Sequence, residues 1–190
     1  AAIFPKNPSH LILHVTNQCN LRCKTCFVDF DKYKEKELTL TEINSISQTL
    51  GKLIWLDISG GEPFLRSDLP EICSKFDTKS IGIPTNGYNP NLIYETTKKI
   101  REKTKAELTI ALSLDGFEKT NDEIRTKGCF KKSIESLKLL KTIPNIKVKI
   151  NTVLCEKNYD ELIDFMNFIK PFNVDFHSII FLRGISRDPE

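Results

Sequence analysis

Residues 10–27 read HLILHVTNQCNLRCKTCF. The first seven, His10–Thr16, have the length and apolar texture of a buried strand. Cys19, Cys23 and Cys26 follow in the loop beyond it, spaced C-x3-C-x2-C. Thiolates are soft ligands that suit iron–sulfur clusters, zinc or Cu(I). Three cysteines on one centre leave a coordination place open. A four-iron cube held by three cysteines keeps one iron free for a small molecule, whereas the usual ferredoxin cube takes four. A structural zinc site normally closes with four ligands. No Cys or His follows within 40 residues, and the nearest alternatives are His10 and His14 upstream. The spacing by itself leaves an open iron–sulfur site, zinc and unrelated thiols as alternatives.

The pattern outside this stretch is an alternation. Strand-like segments are read at 10–16, 53–59, 80–84, 108–114, 146–154 and 174–182. Helices are read from Thr39-Leu40, over about 68–76, from Pro90 to Lys103, from Phe130 to Lys141 and from Tyr159 to Lys170. Thr39 with Glu42 has the form of a helix cap. Pro90 suits a first turn, where its missing N–H costs nothing. Six strand–helix alternations predict an α/β fold with a parallel sheet and crossover helices. Six units are fewer than the eight of a closed barrel, so the expectation is a partial (β/α)6 barrel, open on one side. The whole of 1–190 is read as one core domain. With no helix after the sixth strand, a C-terminal portion is expected beyond Glu190.

Composition narrows the class. The chain has 190 residues, 39% of them hydrophobic and 28% charged, enough for a domain that buries about 70% of its unfolded surface. A net charge of +3 is too small to argue for a nucleic-acid partner. No run of 18 apolar residues is present, so no transmembrane helix is expected. The six cysteines are half clustered, which favours a metal site in a reducing compartment over disulfides. The expected location is the cytoplasm.

Further motifs follow the predicted strands, where parallel α/β folds place their sites. Gly60-Gly61-Glu62-Pro63 follows the second, and its glycines let backbone approach a ligand while Glu62 suits an ammonium partner. Thr85-Asn86-Gly87 follows the third. Ser113-Leu114-Asp115-Gly116 ends the fourth, with Ser113 and Asp115 on one face by alternation. Asn121-Asp122-Glu123-Ile124-Arg125 leads into Gly128-Cys129-Phe130, and Asn151 is a polar residue within the fifth strand. Singly these admit plain readings: turns, strand capping, a surface charge, an internal backbone bond. His177 is read as a core histidine and is not assigned. Cys73, Cys129 and Cys155 are read as small buried hydrophobes.

Taken together, the motifs resemble the radical S-adenosylmethionine (SAM) superfamily. Thr16 and the Cys-Asn-Leu-Arg-Cys wording resemble its peptide-modifying and SPASM-containing members. Two departures stand out: Thr25 precedes the third cysteine where an aromatic is common, with the aromatic, Phe27, just after it, and Cys129 stands where serine is more usual. The resemblance covers Val15 to Gly184 and implies a partial barrel. It also implies a [4Fe–4S] cluster on Cys19, Cys23 and Cys26, with SAM chelating the open iron. Reductive cleavage of SAM would give a 5′-deoxyadenosyl radical that abstracts a substrate hydrogen, in an oxidoreductase or transferase. The residues it implies around SAM are Phe27, Gly60, Gly61 and Glu62 (the last for the amino group), with Thr85, Asn86, Ser113 and Asp115. Arg125 would pair with the carboxylate, and Asn151 would meet ribose or adenine. Implied partners are a peptide or small-molecule substrate and an electron donor such as a flavodoxin or ferredoxin. The basic loop Arg183–Asp188 is expected to meet substrate or to cover the cavity. A non-catalytic zinc or iron–sulfur module, or an electron carrier, is the alternative.

Overall fold

The computed structural model describes residues 8–26, 28 and 37–182. Phe27 and the Arg183–Asp188 loop lie outside the described residues. Six strands form one all-parallel sheet in sequence order: β1 (His10–Thr16), β2 (Leu53–Gly60), β3 (Thr78–Thr85), β4 (Glu107–Ser113), β5 (Ile146–Leu154) and β6 (Phe176–Phe181). Parallel neighbours require crossovers, and helices supply them: α1 (Leu40–Leu50), α2 (Leu69–Ser74), α3 (Pro90–Lys103), α4 (Glu118–Ile124), α5 (Cys129–Leu140) and α6 (Leu162–Ile169). The fold is α/β with an open six-stranded parallel sheet, the arrangement of a partial (β/α)6 barrel.

The sheet curls. In a flat sheet β1 and β6 would stand about 24 Å apart, five spacings of ~4.8 Å. Here Ile12 of β1 and Ser178 of β6 line the same cavity. One face of the curl is apolar. Leu13, Val15, Leu56, Ile58, Ile81, Ile83, Leu108, Ile110, Leu112, Val148 and Ile150 alternate along their strands and are all buried. They form one core with Ile43, Ile72, Ile93, Ile100, Leu137 and Phe165 of the helices. Each such side chain contributes about 1.5–3 kcal/mol by leaving water. The other face is polar and opens into the cavities below.

Local signals explain most boundaries. The Thr39 hydroxyl accepts from the Glu42 amide, and the Glu42 carboxylate accepts from the Thr39 amide at 2.7 Å, a complete capping box at α1. The sequence reading missed α4, whose seven residues are too few to show a clear helical period. It also started the last helix too early, because Glu161 is used differently. Its carboxylate accepts from the Phe117 amide and the Thr120 hydroxyl, both at 3.0 Å. No helix among the described residues is long and apolar enough to cross a membrane.

Candidate active site

The loop after β1 carries the three cysteines and is fastened on several sides. Arg66 reaches back to donate to the Val15 carbonyl at 2.5 Å and pairs with Asp68 at 2.7 Å. The Glu37 carboxylate accepts from the Thr16 hydroxyl at 2.5 Å and the Asn17 amide at 3.0 Å. Leu21 is buried in the middle of the loop. The Lys24 amide donates to the Ile124 carbonyl at 2.8 Å, so α4 anchors the loop's far end.

The two glycines after β2 are required by this loop. A Cβ on Gly60, whose φ is +139°, would stand 2.4 Å from the Thr16 carbonyl oxygen, and one on Gly61 would stand 2.2 Å from that of Gln18. The Gly61 amide donates to Thr16 and the Glu62 amide to Gln18, both at 2.8 Å. On the side where a Cβ would point, the cysteine loop's own backbone makes the close approach, while both glycines also line the cavity described below.

Glu62 is 3% exposed. Its carboxylate accepts from the Asn86 amide at 2.7 Å, the Thr85 hydroxyl at 2.8 Å and the Phe64 amide at 3.3 Å. Burial pushes this carboxyl up to about 7, against the pull of those donors. The Asn86 amide group donates to the Asn20 side-chain oxygen at 2.8 Å and lies 3.9 Å from the Cys19 sulfur. Buried Ser133 and Ser136 of α5 hold the turn from behind, donating to the Asn86 and Gly87 carbonyls at 2.9 and 2.7 Å.

Arg125 caps α4. Its guanidinium pairs with Asp115 at 2.8 Å, with side chains only 8% and 0% exposed. The same guanidinium lies 3.9 Å from the Cys23 sulfur, and its buried Nε has no partner among the described residues. Burial pushes the Cys19 and Cys23 thiols up; for Cys23, Arg125 pulls the other way.

These residues enclose one cavity of about 280 Å³ at the C-terminal end of the sheet, lined by Cys19, Cys23, Cys26, Gly60, Gly61, Glu62, Thr85, Asn86, Ser113 and Arg125, with Val153, Ile180 and Phe181 along β5 and β6. No three His, Cys, Asp or Glu side chains among the described residues are grouped to hold a single ion. The three cysteines all line this one cavity. A four-iron cube takes one thiolate per iron, so it suits more widely placed ligands than a single zinc does.

Two expected ligand contacts fall elsewhere. Asp115 does not line this cavity: it sits behind Arg125, its Oδ1 accepting from the Val153 amide at 2.8 Å. The reason is backbone geometry, since β4 ends at Ser113 and the alternation that put both residues on one face ends with it. Asn151 lines a second cavity instead. His177 bonds Thr152 at 2.9 Å and packs edge-on against Phe165, on the core side. Cys73 is buried away from the site, its thiol pushed up to about 12 by burial, whereas Cys129 is buried directly behind it, its sulfur 3.7 Å from the Asn86 carbonyl. Sequence reasoning missed Asn121 and Asn158. The first accepts from the Asp115 amide at 3.0 Å, and the second donates to the Asp115 carbonyl at 2.7 Å. Asn121 lies in the short α4 and Asn158 in the turns after β5, and neither position gave a signal of its own.

Residues 13–169 match the profile described as "Radical SAM superfamily". A probable GTP 3′,8-cyclase of Sulfolobus acidocaldarius is 27% identical, over 99% of this chain and 60% of its own length. The mycofactocin maturase MftC of Mycolicibacterium smegmatis is 28% identical, over 83% of this chain and 41% of its own. Among solved structures, Streptococcus suis SuiB bound to S-adenosylmethionine superposes with a TM-score of 0.77 at 24% identity, covering 94% of this chain and 42% of SuiB. A second SuiB structure is bound to its precursor peptide SuiA. The chain thus spans between two fifths and three fifths of the length of these relatives.

Proposed function

Because the chain belongs to the radical SAM superfamily, we propose that it is the core of an enzyme whose cavity holds a [4Fe–4S] cluster and SAM. One observation carries the reading. The three thiols of the β1 loop and the buried Glu62 carboxyl, carried by separate strand ends, meet in one cavity.

The residues fit the pair. Cys19, Cys23 and Cys26 would hold the cluster and leave one iron open. Glu62 would receive the SAM ammonium; a buried carboxyl that burial has raised to about 7 regains its charge when a cation arrives. Arg125 would receive the carboxylate on its unpartnered edge, with Asp115 fixing its orientation. Ser113 and Asn86, on the cavity lining, would meet the ribose or the carboxylate, while Thr85 is occupied by Glu62. When bound, the cluster and SAM supply radical chemistry that removes a hydrogen atom from a substrate. The chain's own work is to place the groups and to keep water out with Leu21, Val153 and Ile180. The substrate is a peptide or a small molecule, and a flavodoxin or ferredoxin supplies the electron.

The test is anaerobic reconstitution. About four irons and four sulfides per chain, followed by 5′-deoxyadenosine on reduction with SAM, is the expected result. One zinc and no colour would favour a non-catalytic module. A cluster that never cleaves SAM would favour an electron carrier.

A further inference from the structure

Beneath the first cavity lies a second of about 540 Å³, within the range of small-molecule sites. Strand by strand it is one layer deeper. Where Ser113, Val153 and Ile180 line the upper cavity, Ala111, Asn151 and Ser178 line the lower, and Pro84 borders both. Two residues along a strand is about 7 Å. A group in the lower chamber is therefore within reach of the upper one.

The chamber's hydrogen-bonding capacity is unspent. The hydroxyls of Ser59, Ser80, Thr109 and Ser178 face it and make no side-chain hydrogen bond among the described residues. The Asn151 side-chain oxygen is buried without a partner. Leaving the buried Asn151 oxygen dry would cost about 1–3 kcal/mol, which favours a polar group beside it.

The charges are placed unevenly. Lys149 lines the chamber from β5 and has no ion-pair partner among the described residues, whereas its neighbour Lys147 is paired with Glu107 at 2.7 Å. The one carboxylate on the chamber's lining is Asp57 of β2, and it is bonded to His10 at 2.7 Å. Gly82 gives Asp57 its room: a Cβ there would stand 2.5 Å from the Asp57 carboxylate. Among the described residues the wall thus presents one cation without an ion-pair partner, a carboxylate already bonded to His10, and hydroxyl and amide groups interspersed with apolar side chains.

We propose that the lower chamber binds the anionic end of the substrate, a carboxylate or a phosphate, on Lys149, with Asn151 and Ser178 beside it. The register supports the grouping, since Asn151 pairs directly with Ser178 across β5 and β6. This rests on reading the upper cavity as the SAM site, and it places the reacting carbon between that site and Lys149.

The test is competitive amine labelling of the reconstituted, SAM-loaded protein with an acetylating ester, read lysine by lysine by mass spectrometry. Inorganic phosphate and acetate are the probes. The expected result is that one or both slow acetylation of Lys149 at least fivefold while exposed Lys52 is unaffected. Protection by phosphate alone points to a phosphorylated substrate, and by acetate alone to a carboxylic acid. Calorimetric titration gives the second measurement: affinity for the protecting anion falls tenfold or more in Lys149→Met and is kept within threefold in Lys149→Arg. Equal labelling with and without both anions, or equal affinity in Lys149→Met, overturns the proposal. Formation of 5′-deoxyadenosine on reduction of the same samples is scored separately. Its absence defeats the SAM reading, while anion protection judges the chamber alone.

Discussion

Glu62 makes the most quantitative prediction. Its carboxyl is enclosed and sits near 7 instead of its ordinary 4.5, chiefly through burial. A raised value means the folded protein binds this proton more tightly than the unfolded chain does. The stabilisation is fully present below 4.5 and is lost as pH rises through about 7. At ~1.4 kcal/mol per tenfold change in proton affinity, the full effect is about 3 kcal/mol. About 2.5 kcal/mol of it falls between pH 5 and 8.5. Glu62→Gln removes the titration. It also turns an amide N–H toward the Asn86 or Thr85 donors, a fixed penalty that does not vary with pH. The expected outcome for the apo-protein is that the stability of Glu62→Gln minus that of wild type grows by about 2.5 kcal/mol from pH 5 to 8.5. Anaerobic urea unfolding followed by circular dichroism measures it. Asp68, Glu42 and Glu123 are held below the ordinary carboxylate range by hydrogen bonds, from Arg66, from Thr39 and from Lys157. Their contribution is lost as pH falls, with the opposite sign, and cancels in the difference. A difference that stays flat across this range would refute the assignment of Glu62 as a buried, proton-holding carboxyl. SAM should reverse the trend: with its ammonium as partner, affinity rises with pH to about 7 and then levels.

The remaining predictions concern the neighbours of the cysteines. Arg125→Met leaves Asp115, fully buried, without its cation and should cost about 3–5 kcal/mol in urea unfolding. The milder Arg125→Lys keeps a charge but loses the fork. It should lower the midpoint potential of the reconstituted cluster in an EPR-monitored titration, because the guanidinium lies 3.9 Å from the Cys23 sulfur. Gly61→Ala drives a methyl into the Gln18 carbonyl and should cut iron and sulfide loading severalfold, with the circular dichroism of the sheet retained. Thr39→Ala removes the α1 cap and should cost about 1 kcal/mol in the same urea assay.

The cysteine loop stood out as a candidate ligand set because ligation by a contiguous peptide shows as spacing, although spacing alone left zinc and unrelated thiols as alternatives. The sheet could be read because alternating apolar positions, such as Leu108, Ile110 and Leu112, repeat in every strand. What could not be read is how the pieces lean on each other. Asp115 looked like a ligand because it shares parity with Ser113. One residue past β4 the pleat stops, and the carboxylate turns to hold Arg125. That residue reaches the site only because α4, too short to leave a periodic trace, hands its last carbonyl to Lys24 and its cap to Asp115. Gly60 and Gly61 looked like a ligand cradle, and they do line the cavity, but the space on their Cβ side is taken by carbonyls of the cysteine loop. The common cause is that a motif records which groups occur at a strand end, while long-range packing decides which of them face the cavity and which face each other. The same logic runs inward. Lys149 and Asn151 were legible only as polar interruptions of an apolar strand. They acquire a meaning because the sheet curls, which brings β1 and β6 around one chamber and leaves an unpaired ammonium on its wall.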